Sequence, residues 1–200
     1  MSKEKKFKTR NRNIIETAER LIKQKGYHHF KMSDISDELE IAKGTLYNHF
    51  SSKEDLLFII TFPKLQKLRD SLSEIVTEDT DFIEKFKKVI QKSMESDYHQ
   101  FLLLSFSDVA VLFQEKNQKD MERIQNDIIQ EFSNVLILGV NEGLIKEDFS
   151  LDFLSHQILS ALDPLLYSLL VTDSKKMKHE EFINQTTELF LYGIRKGYKL

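Results

Sequence analysis

Lys43, Thr45, Tyr47, Asn48 and His49 place five hydrogen-bonding or cationic side chains in a stretch of seven residues, interrupted only by Gly44 and Leu46. The spacing of Ile35, Leu39, Ile41, Leu46 and Phe50 turns those apolar side chains inward and leaves the polar five facing out. Lysine and threonine suit base edges, whereas tyrosine, histidine and lysine suit phosphate oxygens. The chemistry of such a set is recognition of a polyanion, with no bond made or broken. Taken singly, His49 reads as a packed or surface histidine and Phe50 as a core aromatic. Only the whole set turns His49 into a contact.

Bond-making chemistry has little to work with. The six histidines (His28, His29, His49, His99, His156, His179) contain no His-x-x-x-His pair and no His-Glu-x-x-His motif, and there is no cysteine. Thiolate nucleophiles, disulfides and cysteine-based metal sites are thereby excluded. A glycine-rich phosphate loop and a Gly-x-Ser-x-Gly elbow are also absent. No cofactor and no metal are implied.

A reading edge at 43–49 needs a rigid support, and the apolar pattern supplies one. Ile14, Ile15, Ala18, Leu21 and Ile22 form a helical stripe that ends at Gly26, where a left-handed residue terminates helices. Two short helices follow at about 33–40 and 43–49, joined by a turn at Glu40-Ile41-Ala42. Ser52 and Asp55 match a capping box that opens a long helix past Leu56, Leu57, Ile60 and Leu65, with Pro63 expected to kink or interrupt it. Further helices are expected at about 81–97, 98–114, 117–143, 151–172 and 178–197, with an N-cap for the 151–172 helix in Asp148-Phe149-Ser150-Leu151. The fold class is all-α with about nine helices: an N-terminal three-helix helix-turn-helix domain over 1–55 and a helical domain over 56–200.

The chain carries a net charge of −3, distributed unevenly. Residues 1–12 hold six basic side chains against one acid, and residues 1–55 carry +3, which leaves −6 on the remainder. A polyanion responds to the local field, so the cationic end is the one that would meet it. The densest apolar run, Val135 to Val140, is far too short to span a membrane. The basic N-terminus has no apolar stretch behind it, so no signal peptide is expected and a cytoplasmic location is.

The segment from Gly26 to Leu57 resembles the DNA-binding domain of the TetR family of bacterial transcriptional regulators. The resemblance rests on Ala18, Gly26-Tyr27, Asp34-Ile35, Ile41, Lys43-Gly44-Thr45-Leu46-Tyr47, His49-Phe50, Ser52-Lys53-Glu54 and Leu56. It implies that Lys43, Gly44 and Thr45 start a recognition helix, with Gly44 letting its backbone approach DNA. Tyr47 and His49 would then contact phosphates, Lys53 would hold a phosphate at the start of the fourth helix, and the basic arm before Ile14 would reach the minor groove. Lys31, Ser33 and Asn48 complete the expected DNA-binding set. Three departures stand out. Glu40 occupies a turn position where the family usually has glycine, Ala42 one where it has serine or threonine, and Lys31 one where it often has threonine.

Beyond residue 56 the resemblance implies a homodimer on a palindromic operator of double-stranded DNA, a repressor released by a small apolar or amphipathic effector, and no membrane. Met94, Phe101, Phe106, Asp108, Phe113, Phe132, Asp163 and Tyr167 are the candidate pocket residues. Leu154, Ile158, Leu162, Leu165, Phe182, Leu189, Phe190, Gly193 and Gly197 are the candidate dimer-interface residues. Two readings of other classes compete: a helical protein-interaction module that has lost DNA binding, and an enzyme.

Overall fold

The computed structural model describes residues 3–105, 115–171 and 177–194, apart from a few side chains within them. Among the described residues the regular elements are ten α-helices: α1 (Lys3–Lys25), α2 (Met32–Glu38), α3 (Lys43–Tyr47), α4 (Lys53–Thr77), α5 (Phe82–Met94), α6 (Asp97–Ser105), α7 (Glu115–Asn141), α8 (Leu151–Ala161), α9 (Pro164–Val171) and α10 (His179–Ile194). No helix among them is long and apolar enough to cross a membrane.

The chain divides into two compact units, Met1–Lys64 with Phe101–Met121, and Leu65–Gln100 with Glu122–Leu200. In the first, the α1 stripe of Ile14, Ala18, Leu21 and Ile22 packs with Phe30, Ile35, Leu46, Phe50, Leu56, Leu57 and Phe101 into one buried cluster. Burying a side chain such as Leu46 completely is worth about 2 kcal/mol, so this cluster rather than intrinsic propensity holds the very short α3 in place. Local signals set the element ends. Gly26 closes α1 at φ 75, and Ser52 Oγ accepts from Asp55 N at 3.0 Å. Asp55 also reaches back to the Ser51 amide at 3.2 Å.

In the second unit, Phe82, Phe86, Val89, Ile90 and Met94 of α5 are buried with Phe132 and Leu136 of α7 and Leu154 and Ile158 of α8. Asp81 caps α5 by accepting from Glu84 N at 2.8 Å, and Ser150 caps α8 by accepting from Phe153 N at 3.3 Å. The Ser133 and Ser155 hydroxyls meet at 2.8 Å, tying α7 to α8.

Two proline expectations resolve differently. Pro63 does not interrupt α4, which runs unbroken from Lys53 to Thr77. The carbonyl that Pro63 leaves without an N–H partner belongs to Ile59, which is itself 38% exposed, so water can reach it. Pro164, in contrast, divides the expected 151–172 helix into α8 and α9. There Asp163 offers the backbone an alternative, because its Oδ1 accepts from Leu166 N at 3.2 Å and starts a new helix.

Candidate nucleic-acid interface

The helix-turn-helix is built from a backbone exception. Glu40 has φ 50, the one left-handed non-glycine among the described residues, and it lets Ile41 N return to the Ser36 carbonyl at 3.0 Å. A β-carbon in that region costs about 1–2 kcal/mol, which explains why glycine would be easier here. Ala42 precedes α3 in an extended conformation but has no side-chain oxygen for the helix amides. Instead Thr45 N and Leu46 N share the Ala42 carbonyl, at 2.8 and 3.3 Å. α2 starts with half of a capping box: Lys31 N donates to Asp34 Oδ2 at 3.1 Å, and Asp34 N returns to the Lys31 carbonyl. Asp34 also holds Lys25 Nζ at 3.0 Å, which keeps its carboxyl below the usual range.

Ile35 and Leu46 are fully buried and Phe50 nearly so, with Leu39 and Ile41 partly buried against them. α3 is therefore anchored through a single fully buried residue, Leu46. Lys43, Gly44 and Asn48 are exposed, Thr45 is half-buried, and Tyr47 is 53% exposed. A β-carbon added at Gly44 would meet nothing within 4 Å. Lys31, Ser33, Lys43, Tyr47 and Lys53 converge on one open concavity of about 410 Å³, with Phe30 and Leu46 in its wall. Three cationic side chains around one recess suit an anionic backbone.

Lys53 is held by aromatic faces, its Nζ lying 4.1 Å from the Tyr27 ring centroid and 5.5 Å from that of Phe30. Burial lowers its pKa, opposed by Glu54 and Asp34. Tyr27 is pushed up to about 12 by burial and by Glu54, whose Oε1 lies 3.5 Å from its hydroxyl. Tyr27 and Phe30 thus fix a half-desolvated ammonium group at the start of α4, which strengthens any contact it makes with an anion.

His49 departs from the expectation of an outward contact. Its ring stacks on Phe7 with centroids 4.1 Å apart, and its Nδ1 lies 3.1 Å from Asn11 Oδ1. Burial, with Arg10 nearby, lowers its pKa. The basic segment before Ile14 is likewise not an extended arm: Lys3 onward forms the first turns of α1. Phe7 and Asn11 beside His49, and His28 in the wall of the recess, carry no local signal in the sequence, because each depends on neighbours that the fold brings together.

The pocket residues scatter. Met94 and Phe132 are buried in the second unit, whereas Phe101 belongs to the core of the first. Asp163 is exposed and caps α9, so it is a capping residue and not a buried anchor. Tyr167 is half-buried, with its hydroxyl 2.8 Å from His179 Nδ1. Phe106, Asp108 and Phe113 lie outside the described residues.

The expected interface residues divide between buried and exposed positions. Leu154, Ile158, Leu162 and Phe182 are buried by the chain's own helices, because the same stripe that could meet a partner is already covered in the protomer. Phe190 is half-buried near Phe86, at 6.5 Å. Leu189 at 72% and Gly193 are exposed on α10, as are Tyr192 on α10 and Leu166 and Leu169 on α9. Gly197 and the side chain of Leu165 lie outside the described residues.

Residues 14–59 match the family described as bacterial regulatory proteins, tetR family. The chain is 29% identical over 188 residues to the fatty acid metabolism regulator protein of Bacillus subtilis, covering 90% of this chain and 93% of that protein. The fold superimposes on the transcriptional regulator FadR from Bacillus subtilis in complex with stearoyl-CoA, with a TM-score of 0.69 and 23% identity over 91% of this chain and 98% of that one. It also superimposes on AibR in complex with isovaleryl coenzyme A and operator DNA, with a TM-score of 0.70 and 19% identity over 90% and 97% of the two chains.

Proposed function

We propose that this chain, whose residues 14–59 match the tetR family of bacterial regulatory proteins, is a homodimeric repressor whose α3 enters the major groove of a palindromic operator. The observation that carries the reading is the outward presentation of Lys43, Gly44, Tyr47 and Asn48 by a helix anchored through Leu46, beside the recess shared by Lys31 and Lys53. Lys43 and Asn48 face base edges, Lys31, Tyr47 and Lys53 hold phosphates, and Ser33 and Thr45 add hydroxyl contacts. His49 acts from behind the interface. The exposed apolar surface of α9 and α10 pairs two protomers, which sets the spacing of two reading heads.

The effector is an acyl compound, free or joined to coenzyme A. Support comes from the fatty acid metabolism regulator protein of Bacillus subtilis, to which the chain is similar, and from two similar structures that hold stearoyl-CoA and isovaleryl coenzyme A. The effector binds the second unit and lowers operator affinity, and by linkage the operator lowers effector affinity by the same factor.

Selection of bound fragments from random duplex DNA, followed by titration of the selected site at several salt concentrations, tests the reading. Related half-sites about one helical turn apart are expected, and Lys43→Glu and Lys53→Glu should each weaken binding and flatten the salt slope by about one unit. A chain that enriches no sequence at low salt, or a double variant that binds DNA as the parent does, refutes it and leaves a protein-interaction module.

A further inference from the structure

His99, near the start of α6, is 5% exposed, and neither ring nitrogen completes a hydrogen bond of normal geometry. A buried polar group left in this state costs about 1–3 kcal/mol, whereas an apolar residue of similar shape would cost nothing of the kind. Its surroundings hold the ring in one orientation. Tyr167 of α9 meets it edge-on, with centroids 5.3 Å apart and planes at 84°. Tyr167 is itself held by its 2.8 Å hydrogen bond to His179 Nδ1 and by an edge contact to Phe182, 5.2 Å between centroids. The groups acting on the His99 charge are His179 of α10, the Leu162 carbonyl at the end of α8 and Asp163 at the start of α9. Burial first, and His179 second, hold the imidazole down at about 4, so at neutral pH it offers one N–H donor and one lone pair.

Building on the reading above, we infer that His99 is the polar anchor of the effector site and donates to the acyl oxygen of the bound molecule, with Tyr167 positioning the ring. An acyl oxygen is the group that a buried neutral imidazole satisfies at least cost, because it needs a donor and brings no further donor to bury. Ordered water is the competing occupant, and a buried water requires two to four polar partners of its own. The site also sits beside the α8–α9 break. An oxygen bound at His99 lies next to the Leu162 carbonyl, the last turn before the chain restarts at Pro164, which is the discontinuity able to shift when the site fills.

The test uses the full chain without DNA. Straight-chain fatty acids from butyrate to stearate, and their CoA thioesters, are titrated by calorimetry in two buffers of different ionisation enthalpy, below their micelle concentrations. Operator affinity without effector is measured in parallel. For His99→Leu the preferred compound should bind at least about tenfold more weakly while operator affinity holds and thermal stability is no lower than the parent's. His99→Gln, which keeps a donor, should recover part of the loss, and Tyr167→Phe should fall between. A free acid buried beside His99 as carboxylate raises the proton affinity of the imidazole and draws protons from the buffer, whereas a thioester does not, so the two buffers identify the source of the acyl group.

The inference is overturned if His99→Leu binds acyl compounds as the parent does, which leaves a buried water only, or if no member of either series binds. A chain that binds acyl compounds through His99 but keeps its operator refutes release by effector and leaves this anchor standing. Loss of DNA binding alone leaves the calorimetric result intact.

Discussion

The imidazole of His49 lies nearly parallel to the ring of Phe7, 4.1 Å between centroids and 20° between planes, so the end of the helix-turn-helix is clasped by the first turns of α1. Such a stacked pair contributes about 1 kcal/mol beyond burial. Phe7→Ala should therefore destabilise the first unit by about that amount and move the His49 pKa up, because the burial that lowers it is removed. An NMR pH titration of the His49 ring checks the direction. Operator affinity should fall in the same variant and recover in Phe7→Tyr, which keeps the stack.

Gly44 separates folding from recognition. Nothing lies within 4 Å of an added β-carbon there, and glycine inside a helix costs about 1 kcal/mol relative to alanine. Gly44→Ala should raise the midpoint of denaturant unfolding while weakening operator binding, since the methyl group occupies the space a DNA backbone or base edge would take. Gly139→Ala is the opposite case. Its β-carbon would lie 2.7 Å from Ile145 Cδ1 and 2.8 Å from Phe82 Cδ2, so about 1–3 kcal/mol of stability should be lost to overpacking.

Glu40→Gly should stabilise the chain by about 0.5–1 kcal/mol, the relief of a left-handed β-carbon less the greater entropy of glycine in the unfolded chain. Chemical denaturation measures it. No gain would mean that the Glu40 side chain makes a compensating contact.

His99 titrates from 6.5 in the unfolded chain to about 4 in the folded one. Below pH 6.5 the unfolded chain binds a proton that the folded chain refuses, so stability present above that pH is lost as pH falls, and the loss levels off below about 4. Thermal unfolding temperatures should favour His99→Leu at neutral pH, where the unpaired buried imidazole is removed, and the gap should widen toward pH 4. His49 is shifted in the same direction and cancels from the comparison.

Spacing alone determined that the regular elements among the described residues are helices and where α3 lies. A helical stripe such as Ile14, Ala18, Leu21 and Ile22, and a cap such as Gly26, Ser52 or Ser150, are made by residues within one or two turns of each other. The family resemblance marked Glu40 as a departure, and its φ of 50 explains why glycine is usual there. Tertiary structure decided which neighbour covers a given stripe. Leu154 and Ile158 were as plausible at an interface as in a core until the chain's own helices buried them, and Leu189 was left outside. It stacked the half-buried His49 on Phe7, gathered His99, Tyr167 and His179 from three helices, and allowed Pro63 but not Pro164 to continue a helix. Periodicity specifies the face of a helix, but burial, stacking and the pairing of polar groups depend on what the rest of the chain brings to that face.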